Sequence, residues 1–139
     1  MDKLENKKNE FKELKNRLFN HKENKTRLES RQLKLENLDY KTNIINSEIK
    51  GSLDTKSKVE KYVIEKERLE KEINELSFNV REIDIALNIL TKKEYSIIEL
   101  RYFEGYKPSE VYNRLHMSES TFWRVHNKIL SKIEKVIKI

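Results

Sequence analysis

Only three residues in this chain of 139 interrupt a helix by their backbone chemistry alone: Gly51, Gly105 and Pro108. So few breakers dictate long helices joined by few turns. Gly51-Ser52, followed closely by Asp54, Thr55 and Ser57, reads as a turn near 51–55. A nearly unbroken segment, Asp2–Lys50, precedes it, and another, Lys56–Leu90, follows it. The expected fold class is all-α, opening with a long antiparallel helical hairpin over residues 1–90.

The hairpin expectation rests on apolar spacing. Val59, Tyr62, Lys66, Leu69, Ile73, Leu76, Val80, Ile83, Leu87 and Leu90 alternate steps of three and four residues. That is a coiled-coil seam of period 3.5, broken only by Lys66. The first segment repeats less well. Phe11, Leu14 and Leu18 start a seam, and Leu28, Leu35, Leu38, Ile45 and Ile49 continue it. His21, Lys25 and Thr42 fall in seam positions, and the phase slips near 28–35. Either the two helices fold back on each other, or the first stays partly solvated or pairs with another copy. At ~1.5 Å per residue the first helix reaches ~70 Å and the second ~50 Å. The first ~15 residues would then project beside the C-terminal part. Their Lys and Asn residues (Lys3, Asn6, Lys7, Lys8, Asn9, Lys12, Lys15) make either an arm that approaches DNA or a solvated, frayed end.

Residues 91–139 carry denser local signals. Thr91-Lys-Lys-Glu94 reads as a capping box that starts a helix through Phe103, with Tyr95, Ile98, Tyr102 and Phe103 as its buried face. Gly105 sits where a left-handed residue stops that helix. Pro108 and Glu110 start the next helix, which ends near Leu115. His116-Met117-Ser118 forms a turn, and Ser118 caps a last helix from Glu119 to about Ile137.

Pro108–Asn127 also fits the twenty-residue helix-turn-helix pattern. That motif needs apolar residues at positions 4, 8, 10, 15 and 18, where two short helices lock together. Val111, Leu115, Met117, Phe122 and Val125 fill all five. In a chain that is 36% apolar, such a match arises by chance about 0.6% of the time per frame. The C-terminal domain, 91–139, is therefore expected to bind DNA through its last helix. Two positions depart from the pattern. Tyr112 stands where Ala or Gly usually lets the helices cross closely, so it needs a wider crossing or an outward ring. His116 takes the turn position usually held by Gly, and His tolerates a left-handed backbone better than most residues.

Charge agrees with that direction. Residues 1–50 carry net +4, 51–90 net −2 and 91–139 net +4, for a total of +6. Basic ends on a near-neutral middle suit a nucleic-acid partner, although +6 is also ordinary for a Lys-rich protein. With no cysteine there are neither disulfides nor thiol chemistry, which fits a cytoplasmic protein. No signal peptide and no apolar run near ~18 residues is present, so no membrane partner is expected.

On the last helix the residues outside the apolar slots are the candidate DNA contacts: Ser118, Glu119, Ser120, Thr121, Trp123, Arg124, Asn127 and Lys128. Arg124 can make two hydrogen bonds to guanine, Asn127 can pair with adenine, and Ser120 and Thr121 can reach bases or phosphates. Glu119 can accept from cytosine or simply favour the helix start. Trp123 either meets a sugar or thymine methyl or packs in the core. Lys107, Ser109 and Arg114 are candidate phosphate contacts. Nothing points to an enzyme, a metal or a cofactor. His21, His116 and His126 are far apart in sequence, no glycine-rich phosphate loop exists, and the carboxylates interleave with Lys and Arg as on solvated helix faces.

The segment from Leu90 to Leu130 resembles the fourth region of bacterial sigma factors, and more closely the phage late-gene transcriptional activators of the RinA and ArpU type. The likeness lies in Leu90-Thr91 with Glu94, in Ile98-Glu99-Leu100-Arg101-Tyr102-Phe103-Glu104-Gly105, in Glu110-Val111, and in Ser118-Glu119-Ser120-Thr121-Phe122. It covers about residues 90–133. It implies a sequence-specific regulator of phage or prophage late genes, with double-stranded DNA as partner and RNA polymerase as a second one. Two alternatives stand beside it. A phage small terminase subunit also joins a helix-turn-helix to helical oligomerisation segments, but usually places the DNA-binding part first. A coiled-coil adaptor could bind RNA polymerase through its sigma-like end. A homodimer is expected, because two symmetric copies lengthen the DNA address.

Overall fold

The structure is a computed structural model that describes residues 11–48 and 53–138, with backbone alone at 45–48 and 53–55. Every regular element among them is helical. Helix α1 spans Lys12–Glu48 and α2 spans Leu53–Leu87. Helix α3, Lys92–Ile98, widens into a π-helical segment, Glu99–Phe103. Helix α4 spans Pro108–Arg114 and α5 spans Glu119–Ile137. Among the described residues no helix is long and apolar enough to cross a membrane. Gly51 and Ser52 lie outside them, as do Lys3, Asn6, Lys7, Lys8 and Asn9 of the proposed arm. Asp54, Thr55 and Ser57 belong to α2 and not to the turn expected near 51–55.

The two long helices pack together, and residues 23–79 form one compact unit between them. Here Arg31 on α1 pairs with Glu72 on α2 at 2.9 Å, and Asp39 with Lys66 at 3.2 Å. Numbers rise on one helix as they fall on the other, so the pair is antiparallel in this unit. Leu38 and Leu69 are its buried leucines. The seam read on α2 faces inward at every position but Lys66, which is exposed. The phase slip expected on α1 near 28–35 falls earlier, between Leu18 and Asn24, where two steps of three follow each other. Leu28, Arg31, Leu35, Leu38 and Thr42 keep the same inward line, and Lys25 is exposed while Asn24 is half-buried. Arg31 is legible as a seam residue only once Glu72 opposite is seen to receive it. Thr42 satisfies its hydroxyl on the carbonyl of Leu38 at 2.9 Å.

The second compact unit joins, among the described residues, 11–22 to 80–138. The helices expected to stand alone at 91–139 share one core with both long helices. Leu14 and Leu18 come from α1, Ile83, Ala86 and Leu87 from α2, Ile97, Ile98 and Tyr102 from α3 and its π extension, Val111 from α4, and Phe122, Ile129, Leu130 and Ile133 from α5. Each of the large side chains among them contributes roughly 1.5–3 kcal/mol by leaving water. Polar ties add direction: Arg17 to Glu82 at 2.8 Å, and buried His21 to Asp84 at 2.8 Å. The start of α1 is thus built into this unit from Phe11 onward.

The capping box at α3 forms as expected. The Thr91 hydroxyl accepts from the Glu94 N–H at 3.2 Å, and the Glu94 carboxylate accepts from the Thr91 N–H at 3.0 Å. The buried face differs from the one expected. Ile97, Ile98 and Tyr102 are buried, Phe103 is half-buried, and Tyr95 is 39% exposed. The helix end is also wider. The Glu104 N–H reaches the Glu99 carbonyl at 2.8 Å and the Tyr106 N–H reaches Leu100 at 3.0 Å. These closures span one residue more than those of an α-helix end. Gly105, with φ 79°, makes the reversal.

Candidate nucleic-acid interface

Helix α4 starts at Pro108, where a missing N–H costs nothing. The Glu110 carboxylate accepts from the Lys107 backbone N–H at 3.4 Å, and the Lys107 ammonium, which has no lone pair to offer, remains at the surface. At the other end the Met117 N–H bonds to the Tyr112 carbonyl at 2.8 Å, and the His116 N–H to Asn113 at 3.3 Å. This is a Schellman closure, and His116 holds its left-handed position at φ 55°. The chain then enters α5 through Ser118, whose hydroxyl accepts from the Thr121 N–H at 3.2 Å.

All five apolar positions of the link turn toward the core. Val111 and Phe122 are fully buried, and Leu115, Met117 and Val125 pack at its margin. Tyr112 does not point fully outward: it is half-buried, its ring tilted against Phe122 of α5 at 5.8 Å between centroids.

Helix α5 divides sharply. Phe122, His126, Ile129, Leu130 and Ile133 are buried on one side. Ser120, Trp123, Arg124, Asn127 and Lys128 are exposed on the other, at steps of three and four residues that place them on one face. Glu119 is exposed at the helix start. Ser118 and Thr121 are occupied locally: the Ser118 hydroxyl donates to the Thr121 hydroxyl at 2.8 Å. Trp123 combines its two expected roles. It is 38% exposed, and its ring meets Phe122 and His126 edge-on at 5.1 and 5.4 Å. Lys107, Ser109 and Arg114 are exposed near α4. Arg114 lies 4.1 Å over the Tyr106 ring, a cation–π contact.

Beneath that face lies a buried polar chain that the helix-turn-helix pattern does not contain. The Tyr102 hydroxyl is 2.7 Å from His126 Nε2, and His126 Nδ1 is 3.1 Å from Asn127 Oδ1. Burial pushes the His126 imidazole down to about 4 and the Tyr102 phenol up to about 12, so both are neutral in the fold. Sequence spacing could have located His126. It falls four residues after Phe122 and three before Ile129, on the apolar stripe. Arg101 was equally silent: it lies 4.9 Å over the Phe19 ring and donates to the Tyr106 carbonyl at 3.1 Å. Among the described residues no group of three or more His, Cys, Asp or Glu side chains could hold a metal.

Residues 6–135 match the model of a protein family described as protein of unknown function (DUF722), and the chain belongs to that family. No curated protein and no solved structure matches it.

Proposed function

We propose that this protein is a sequence-specific DNA-binding transcriptional regulator, a sigma-like activator of a phage or prophage, that sets the exposed face of α5 in the major groove. The observation that carries this reading is the division of α5. Arg124 and Asn127 stand outward beside Ser120, Trp123 and Lys128, while all five apolar positions of a helix-turn-helix turn inward. Arg124 suits the guanine edge, and Lys107, Ser109 and Arg114 suit the phosphates. The left-handed turn at His116 supports the same motif. RNA polymerase is the second partner of this reading, by likeness to the sigma fourth region, and two copies on symmetric half-sites complete it.

The decisive experiment is selection of fragments from the neighbouring genome by the purified full-length protein, followed by sequencing. Recovery of a shared motif supports the proposal. Uniform recovery at every salt concentration, or recovery of no fragment, defeats it.

A further inference from the structure

Asn127 is an outward residue of α5 whose side chain is tied to a buried group. Its Oδ1 can only accept a hydrogen bond, so His126 Nδ1, 3.1 Å away, carries the proton. A neutral imidazole has a single N–H. Nε2 is therefore bare and accepts from the Tyr102 hydroxyl at 2.7 Å. Tyr102 is itself fixed by the Phe19 ring at 4.6 Å and by a stacked contact with His126 at 5.9 Å. His126 is 2% exposed and further held by the Phe122 ring, stacked at 5.6 Å. Among the described residues the Asn127 amide nitrogen has no partner.

We propose that His126 is a positioning residue: it holds the Asn127 carboxamide oxygen inward and presents the amide N–H2 group to the outer face of α5. The inference rests on the reading of α5 as a base-contacting helix and changes what Asn127 recognises there. Pairing with adenine needs the oxygen and the nitrogen of the carboxamide to face the base together. With the oxygen engaged by His126, Asn127 offers donors alone. Guanine, whose N7 and O6 are both acceptors, is the base it selects.

The full-length protein labelled with nitrogen-15 tests the positioning without DNA. Long-range proton–nitrogen correlations at neutral pH should show His126 protonated at Nδ1 and bare at Nε2. Asn127→Ala, at an exposed position, should then yield a mixture of both tautomers. A proton on Nε2 in the unaltered protein overturns the proposal. DNA selection tests the consequence. Guanine should be enriched at one position, with roughly ten-fold loss of that discrimination in Asn127→Ala and in Tyr102→Phe. Affinity for unrelated DNA should stay unchanged, which a merely structural defect would not produce. Enrichment of adenine there, lost in Asn127→Ala, overturns the donor-only assignment. Absence of any selected sequence, with the proton still on Nδ1, defeats the DNA reading and leaves the positioning intact.

Discussion

Glu94 and Lys132 form an ion pair at 2.9 Å that joins the first turn of α3 to the middle of α5. The same carboxylate accepts the Thr91 N–H. That backbone hydrogen bond, then Lys132, holds the Glu94 carboxyl below its ordinary value of 4.5 against the opposing effect of burial. A depressed carboxylate contributes stability above its unfolded value, and the contribution is lost as pH falls through the lower folded value. Glu94→Ala should therefore destabilise the fold by about 1–3 kcal/mol at neutral pH. The deficit should shrink below pH 4.5 in acid titrations of chemical unfolding. An equal deficit at all pH values would show that Glu94 acts by packing alone.

His126 sets a second acid limit with a different window. Its folded value of about 4 lies below the ordinary 6.5, chiefly through burial, with the charges of Lys15 and Arg101 adding to the depression and Asn127 opposing it. The unfolded chain thus takes up a proton that the folded chain refuses. Stability is complete above pH 6.5 and falls as pH drops from there toward 4, by about 3 kcal/mol in all. Differential scanning calorimetry between pH 4 and 7 should show this decline, and His126→Leu should remove its slope whatever it does to the absolute stability. A flat profile in the unaltered protein would show that the imidazole is not kept neutral.

The left-handed turn offers a gain rather than a loss. His116 holds φ 55° at an exposed position, a conformation that costs an L-residue roughly 1–2 kcal/mol. Glycine adopts it freely but loses more entropy on folding. His116→Gly should stabilise by about 0.5–1 kcal/mol in urea unfolding. Unchanged or lower stability would mean that the imidazole makes a favourable contact in solution.

Much of this architecture was legible because it depends on short-range chemistry. Two glycines and one proline forced long helices, and the Thr91–Glu94, Ser118 and Gly105 signals act within a few residues of themselves. The inward line of α2 followed from its spacing alone. What stayed hidden depends on partners distant in sequence. Arg31 does not read as a seam residue until Glu72 meets it 41 residues away. Leu14 and Leu18 look like the start of a hairpin seam, yet they enter the core of the C-terminal helices. A cut at residue 90 would strip that core of Leu14, Leu18, Ile83, Ala86 and Leu87, so a fragment of 91–139 should not fold as this unit does. The outward residues of α5 followed from period 3.6, whereas the engagement of Asn127 by His126 needed the burial of Tyr102.

Arg124 tests the base-contacting face directly. It is exposed and stands one turn from Ser120 and Lys128. Arg124→Ala should cost about 1–3 kcal/mol at the selected DNA site and relax one base position. Lys107→Ala should instead weaken binding to all sequences and lower the salt dependence by about one ion. Titrations at several salt concentrations separate the two. The same loss for Arg124→Ala on specific and unrelated DNA would reassign it to the phosphates.

The expected dimer stands on narrower ground than the spacing suggested. Ile129 and Ile133, apolar residues past the groove-reading part of α5, are fully buried in their own core. Arg31 and Thr42 complete the inward line of α1 toward α2. The large apolar side chains that remain outward include Val136 at 42% on α5, Leu33 and Tyr40 on α1 at 66 and 65%, and Ile64, Phe78 and Ile85 on α2 at 67, 68 and 56%. The three on α2 are spaced by multiples of seven residues and so fall on one side of that helix, the spacing of a second seam. A copy of the chain placed there would withdraw three large apolar side chains from water. Phe78→Glu and Ile85→Glu should therefore abolish self-association without unfolding the monomer. Sedimentation equilibrium at micromolar concentration decides this. A single species of 16.9 kDa with no concentration dependence would eliminate the dimer and the expectation of a palindromic site.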